Sequence, residues 1–262
     1  MIKALFFDID GTLVSFRTHT IPQSTVDALT AAKANGVEIY ISTGRPFALI
    51  NNLGQIEHLI DGYITTNGAY CFIGKNVISC CPIPDDDVKY IIGKSKETDF
   101  PCMVVGERDL TMFNMKSAPE KVKYVSELLN LPIIESESPI EEILQENILQ
   151  LTPFINNNQE KEIMSQLKGI ESGRWFPDFT DITAKGVSKA KGLKEIAAYR
   201  GFDLSETMAF GDGGNDLSIV KQAGIGIAMG NSNEVLKQAA DYITDAVDDN
   251  GILNALRHYE II

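Results

Sequence analysis

Two aspartates separated by one residue, Asp8 and Asp10, open the first chemically loaded stretch of this chain, Asp8-Ile9-Asp10-Gly11-Thr12. Alternate side chains of an extended segment share a face, so these carboxylates repel unless a cation or proton is shared between them. Magnesium suits such a pair because it prefers oxygen ligands and keeps several waters. Phosphoryl chemistry suits it too, with one carboxylate attacking phosphorus and the other handling the leaving-group proton. A second acidic cluster is Gly211-Asp212-Gly213-Gly214-Asn215-Asp216. Its glycines let backbone approach a metal or phosphate, while Asp212 and Asp216 add hard oxygen ligands or brace other ligands. Thr43-Gly44-Arg45 offers a hydroxyl and backbone amides ahead of a helix for phosphate oxygens. Lys189, following Gly186-Val187-Ser188, offers a point charge to a phosphoryl group. Taken singly, each fragment fits a surface turn or a solvated lysine equally well.

The elements that position them follow one grammar. Residues 3–9 form a short apolar run ended by acidic residues, the pattern of a buried parallel strand. A helix from Pro22, with Val26, Leu29 and Ala32 on one face, leads to a second strand over 37–42. A helix over 46–53 and a strand over 60–65 continue the βαβ alternation. The pattern returns with helices near 189–199, 216–223, 234–240 and 251–259 and strands at 207–210, 225–229 and 241–244. Between them it changes to helices at 85, 119–129 and 159–167 and strands at 102–105, 111–114, 148–153 and near 174 and 179. The expected fold is therefore α/β. A Rossmann-like doubly wound parallel sheet core (1–82 and 184–262) carries an inserted α+β cap domain (83–183). Asp8, Thr43 and Asp212 all fall just past strands, at the carboxyl ends where open α/β sheets bind ligands.

Bulk properties narrow the partners. A net charge of −13 over 262 residues, with no basic stripe, argues against nucleic acid but is compatible with a small phosphorylated metabolite, since a bound cation reverses the field locally. No apolar run reaches the length of a membrane span and the first residues do not read as a signal peptide, so the expectation is a cytoplasmic protein. Cys71, Cys80, Cys81 and Cys102 lack paired CxxC spacing and read as buried reduced thiols.

In order, Asp8-x-Asp10-Gly-Thr12, Thr43-Gly-Arg45, Lys189 and Gly211-Asp212-x-x-Asn215-Asp216 resemble the four motifs of the haloacid dehalogenase superfamily of phosphatases. The insert's position and the phrases Asn67-Gly68-Ala69 and Lys189-Ala190-Lys191-Gly192-Leu193 are similar to its Cof-type branch, which includes bacterial sugar phosphatases. The resemblance spans essentially the whole chain. It implies that Asp8 is the nucleophile, Asp10 the general acid and then base, and Thr43 and Lys189, with Gly44, Arg45 and Asn215, the phosphate or substrate contacts. It further implies that magnesium is held by the Asp8 and Asp212 carboxylates and the Asp10 carbonyl, with Asp216 supporting them. The insert would close over the site and choose the substrate, and a monomer is the default. A phosphosugar mutase of the same superfamily and a non-enzymatic phosphoaspartate switch are the alternatives. In the cap, Arg174 and Trp175 are the candidates for sugar contacts, against a structural pairing. His19, His58 and His258 read as structural or surface residues.

Overall fold

The computed structural model describes residues 1–128 and 140–262; the side chains of Val125, Ser126, Leu128 and Trp175 lie outside that description. In chain order the first elements are β1 (Ala4–Phe7), α1 (Gln23–Ala34), β2 (Glu38–Ser42), β3 (Gly62–Thr65), β4 (Tyr70–Ile73) and β5 (Asn76–Cys80). Then come α2 (Asp85–Thr98), β6 (Cys102–Val105), β7 (Leu110–Phe113), α3 (Pro119–Leu128), α4 (Ile140–Ile143), β8 (Gln150–Pro153), α5 (Asn157–Gln166), β9 (Ile170–Phe176) and β10 (Phe179–Ala184). The chain ends with α6 (Lys189–Arg200), β11 (Thr207–Gly211), α7 (Leu217–Gln222), β12 (Ile225–Ala228), α8 (Glu234–Ala239), β13 (Tyr242–Ile243) and α9 (Gly251–His258).

Two compact units result, one of Met1–Arg45, Ile50–Ser79 and Ser188–Ile262, the other of Pro46–Leu49 and Cys80–Val187. In the first, strands run in the order β13-β12-β11-β1-β2-β3-β4-β5. The pairings from β13 to β3 are parallel, whereas β3 and β4 are antiparallel. β1 is central and buried at all four residues. Alternation sends Leu5 and Phe7 into one apolar layer with α1 and α9, and Ala4 and Phe6 into the other with α6, α7 and α8. Phe7 stacks on Phe210 at 4.6 Å and Phe6 on Tyr40 at 4.9 Å, one pair in each layer. The chain leaves β1 toward β2 on one side and later returns to β11 on the other. Strand order therefore reverses at β1, the point at whose carboxyl end open α/β sheets bind their ligands.

The second unit is a five-stranded antiparallel sheet ordered β7-β6-β8-β10-β9 with its own apolar core. Two local expectations are corrected. The helix anticipated over 46–53 is a single 3-10 turn, Phe47–Leu49, because Asn51, Asn52 and Gly54 do not sustain a helix. The β4–β5 strands extend the parallel sheet with an antiparallel edge that the alternating helix–strand pattern did not signal. Among the described residues no helix is long and apolar enough to cross a membrane.

Candidate active site

Asp8 is the residue after β1, and its backbone N–H donates to the Phe210 carbonyl, so the strand pairing that builds the sheet also places this carboxylate. It is 7% exposed. Lys189, the first residue of α6 and 1% exposed, donates from Nζ to Asp8 Oδ1 and to Asp216 Oδ1, each at 2.6 Å. A cation at a helix N-terminus opposes the helix dipole, so these two carboxylates must supply its stabilisation. The Ser188 hydroxyl caps the same turn by accepting from the Lys191 N–H.

Asp216 is the brace of the second acidic loop: its Oδ2 accepts from the N–H groups of Asp212 (3.0 Å) and Gly213 (2.9 Å). Thr12 reaches across from the first loop and donates from its hydroxyl to Asp212 Oδ1 at 3.2 Å. One carboxylate oxygen from each of Asp8, Asp212 and Asp216 lies within 4.8 Å of the others. Gly11, at φ +87°, is required here, since a β-carbon on it would stand 2.3 Å from Asp212 Oδ2.

Electrostatics report the same crowding. Burial pushes Asp8 well above the usual carboxylate range; Lys189 pulls it back and the facing Asp216 and Asp212 push it further. Burial and then Asp216 push Asp212 up to about 7. Burial alone would lower Lys189, but Asp216 and Asp8 outweigh it and raise it. Hard oxygen donors at this spacing, short of positive charge, fit a divalent cation such as magnesium.

Asp10 stands apart from the three clustered carboxylates. Arg45 grips it bidentately, Nε to Oδ2 at 2.7 Å and an Nη to Oδ1 at 2.8 Å. Thr43 is buried, and its hydroxyl accepts from the Arg45 N–H at 3.0 Å. Gly44 lies beside Asn67 and Asn215, whose side chains meet, Asn215 Nδ2 donating to Asn67 Oδ1 at 3.2 Å. The structure thus gathers Asp8, Lys189, Asp212 and Asp216 in one group, Asp10 with Arg45 in a second, and Gly44 with Asn215 in a third.

Asn67 and Thr12 fall within sequence motifs that assign them no role of their own. The signal for Asn67 was its place before Gly68, since Asn and Gly tolerate the left-handed backbone that Thr66, Asn67 and Gly68 all adopt. Arg174, a sequence candidate for sugar contacts, is spent internally, donating to Glu160 (2.6 Å) and to the carbonyls of Ile155, Phe176 and Pro177. The Trp175 side chain lies outside the described residues. His19 stands in an exposed turn, His58 in a 3-10 turn, and His258 stacks on Tyr242 at 4.3 Å. Cys71 and Cys102 are buried as expected, whereas Cys80 and Cys81 are only half-buried.

The sequence model of the haloacid dehalogenase-like hydrolases matches residues 5–256, and the chain belongs to that family; it is one of the superfamily's phosphatases. Over 261 residues it is 28% identical to the 5-amino-6-(5-phospho-D-ribitylamino)uracil phosphatase YcsE of Bacillus subtilis (strain 168), covering 98% of this chain and 96% of that one. Its fold superposes on the HAD subclass IIB sugar phosphatase BT4131 with a TM-score of 0.89 at 47% identity, covering 99% of this chain and 100% of that one. For the superfamily phosphatase BT1666 from Bacteroides thetaiotaomicron the TM-score is 0.88 at 37% identity, covering 100% of this chain and 96% of that one.

Proposed function

We propose that this phosphatase is magnesium-dependent, acts on small phosphorylated metabolites, sugar phosphates foremost, and works through a phosphoaspartate on Asp8. The observation that carries the reading is the buried Asp8 carboxylate, held by Lys189 at 2.6 Å beside Asp212 at the switch point of the sheet. Asp8 and Asp212, with the Asp10 carbonyl, would hold the metal, which when bound supplies the positive charge that lets an anionic carboxylate meet an anionic phosphate.

Asp8 attacks phosphorus while the bond from phosphorus to the leaving oxygen breaks, and Asp10 delivers a proton to that oxygen. Water then attacks the phosphoaspartate, Asp10 takes its proton, and the bond to Asp8 breaks to release inorganic phosphate. Lys189 offsets charge on the phosphoryl oxygens, and Thr43, Gly44 and Asn215 contact them. Arg45, through its two-pronged grip, aims Asp10. The second unit serves as the cap that selects the leaving group. Two relatives whose names specify a sugar phosphatase and a ribitylaminouracil phosphatase support a polyhydroxylated phosphomonoester as substrate.

The test is inorganic phosphate released from sugar phosphates, nucleotides and phosphoglycolate, with magnesium and with chelator, for the native protein and Asp8→Asn. Magnesium-dependent turnover that vanishes in the variant is expected. Retained activity in Asp8→Asn sinks the phosphoaspartate route. Isomerised sugar phosphate appearing faster than free phosphate would make it a mutase, and one phosphate taken per chain without turnover a switch.

A further inference from the structure

One short segment, residues 229–233, is bonded to both acidic loops. Toward the second loop, the Met229 N–H and the Ser232 hydroxyl donate to the Gly211 carbonyl at 3.0 and 3.3 Å, and the Asn233 N–H donates to the Asp212 carbonyl at 3.3 Å. Toward the first, Asn231 Nδ2 donates to the Gly11 carbonyl at 2.8 Å. The same amide accepts at Oδ1 from the Val247 N–H at 2.9 Å, and Val247 is buried in the apolar layer that holds Leu5 and Phe7.

Chemistry fixes the orientation of that amide. A peptide N–H only donates and a carbonyl only accepts, so Oδ1 must face Val247 and Nδ2 must face Gly11. Gly11 is held at its other end too, its N–H donating to the Val14 carbonyl at 2.9 Å. The peptide planes on both sides of Gly11 are thereby set, and the first of them carries the Asp10 carbonyl. Thr12 also spans the two loops, but its bond lands on the Asp212 carboxylate itself. The Asn231 bond lands on backbone and uses no carboxylate oxygen, so it can stay in place when a cation binds.

We propose that Asn231 is a positioning residue for the cation site: by fastening Gly11 to the segment that also holds Gly211 and Asp212, it sets how far the Asp8 carboxylate and the Asp10 carbonyl stand from the Asp212 carboxylate. The inference rests on the magnesium reading above. Groups that orient metal ligands without touching the metal govern affinity, because loose ligands must otherwise be ordered as the ion binds; losing one costs about 10- to 100-fold in metal affinity or activity.

Asn231→Ala removes both bonds. On the full-length protein, the Kd for magnesium is measured by titration calorimetry, and KM for a sugar phosphate is measured at saturating magnesium. The Kd is expected to rise about tenfold or more, with KM unchanged within about twofold once magnesium saturates. Asn254→Ala is the control, since it removes a bond to Asp245 that is made to neither acidic loop, and its Kd is expected to match the native one. A Kd for Asn231→Ala within about twofold of native, or an equal rise in Asn254→Ala, overturns the proposal. If Asn231→Ala does not fold, Asn231→Ser, too short to span Gly11 and Val247 together, carries the same expectation. A native protein that binds magnesium, with the Kd unmoved in the variant, sinks this role alone; a native protein that binds no magnesium sinks the magnesium reading with it.

Discussion

Lys189 and Asp212 show at the scale of single residues how this site stores cost for chemistry. Burying carboxylates beside one another is unfavourable, and one ammonium is shared between Asp8 and Asp216. Asp212, pushed up to about 7, therefore carries a pH-dependent penalty. Its folded pKa lies above the unfolded value of 3.8, so the stability it contributes is complete below about 3.8 and lost as pH rises through about 7. Asp212→Asn cannot ionise. With chelator present, the native protein should lose stability relative to Asp212→Asn as pH is raised from about 4 to 8, followed by urea denaturation at each pH. Parallel pH profiles for the two proteins would contradict this account.

Among elements, the approach of β3 to the start of α6 decides where Lys189 stands. Gly68, at φ +100°, follows β3, and a β-carbon there would sit 2.2 Å from the Ser188 carbonyl. That oxygen belongs to backbone, which cannot swing aside as a long side chain would. Gly36 provides the comparison: φ is +83° with nothing nearby. Gly36→Ala should cost about 1–2 kcal/mol, the ordinary penalty of left-handed backbone. Gly68→Ala should cost more than that in the same denaturation experiment and should also lower kcat, because α6 carries Lys189. Equal costs with unchanged kcat would show that this contact is soft. The β1, β2 and β11 strands were legible as buried apolar runs because strands covered on both faces need no alternation. The β4–β5 edge was not, since its residues are half-buried or exposed at most positions and carry no comparable run.

For the whole molecule, the charge of −13 and the clustered carboxylates make the cation part of the stability balance. A ligand bound by the folded state alone stabilises it by about 2.7 kcal/mol at one hundred times its Kd. Magnesium should therefore raise the melting temperature of the native protein, and the increment should largely disappear in Asp212→Asn, read by calorimetry with and without chelator. An equal shift in both proteins would place the stabilising ion elsewhere.

By itself the sequence determined the strands and helices of the parallel core apart from the 46–53 segment and the β4–β5 edge, the acidic loops at strand ends, and the candidate set Asp8, Asp10, Thr43, Lys189, Asp212 and Asp216, because motif spacing and apolar runs are local properties. Tertiary structure alone decided that Lys189 bridges Asp8 and Asp216, residues 181 and 27 positions away in the chain. It likewise decided that Arg45 holds Asp10, that Arg174 is consumed by Glu160 and backbone carbonyls, and that Asn231 ties the Gly11 carbonyl to the Val247 N–H. Pairing across such separations depends on strand order and helix placement, which close contacts between residues that no local pattern links.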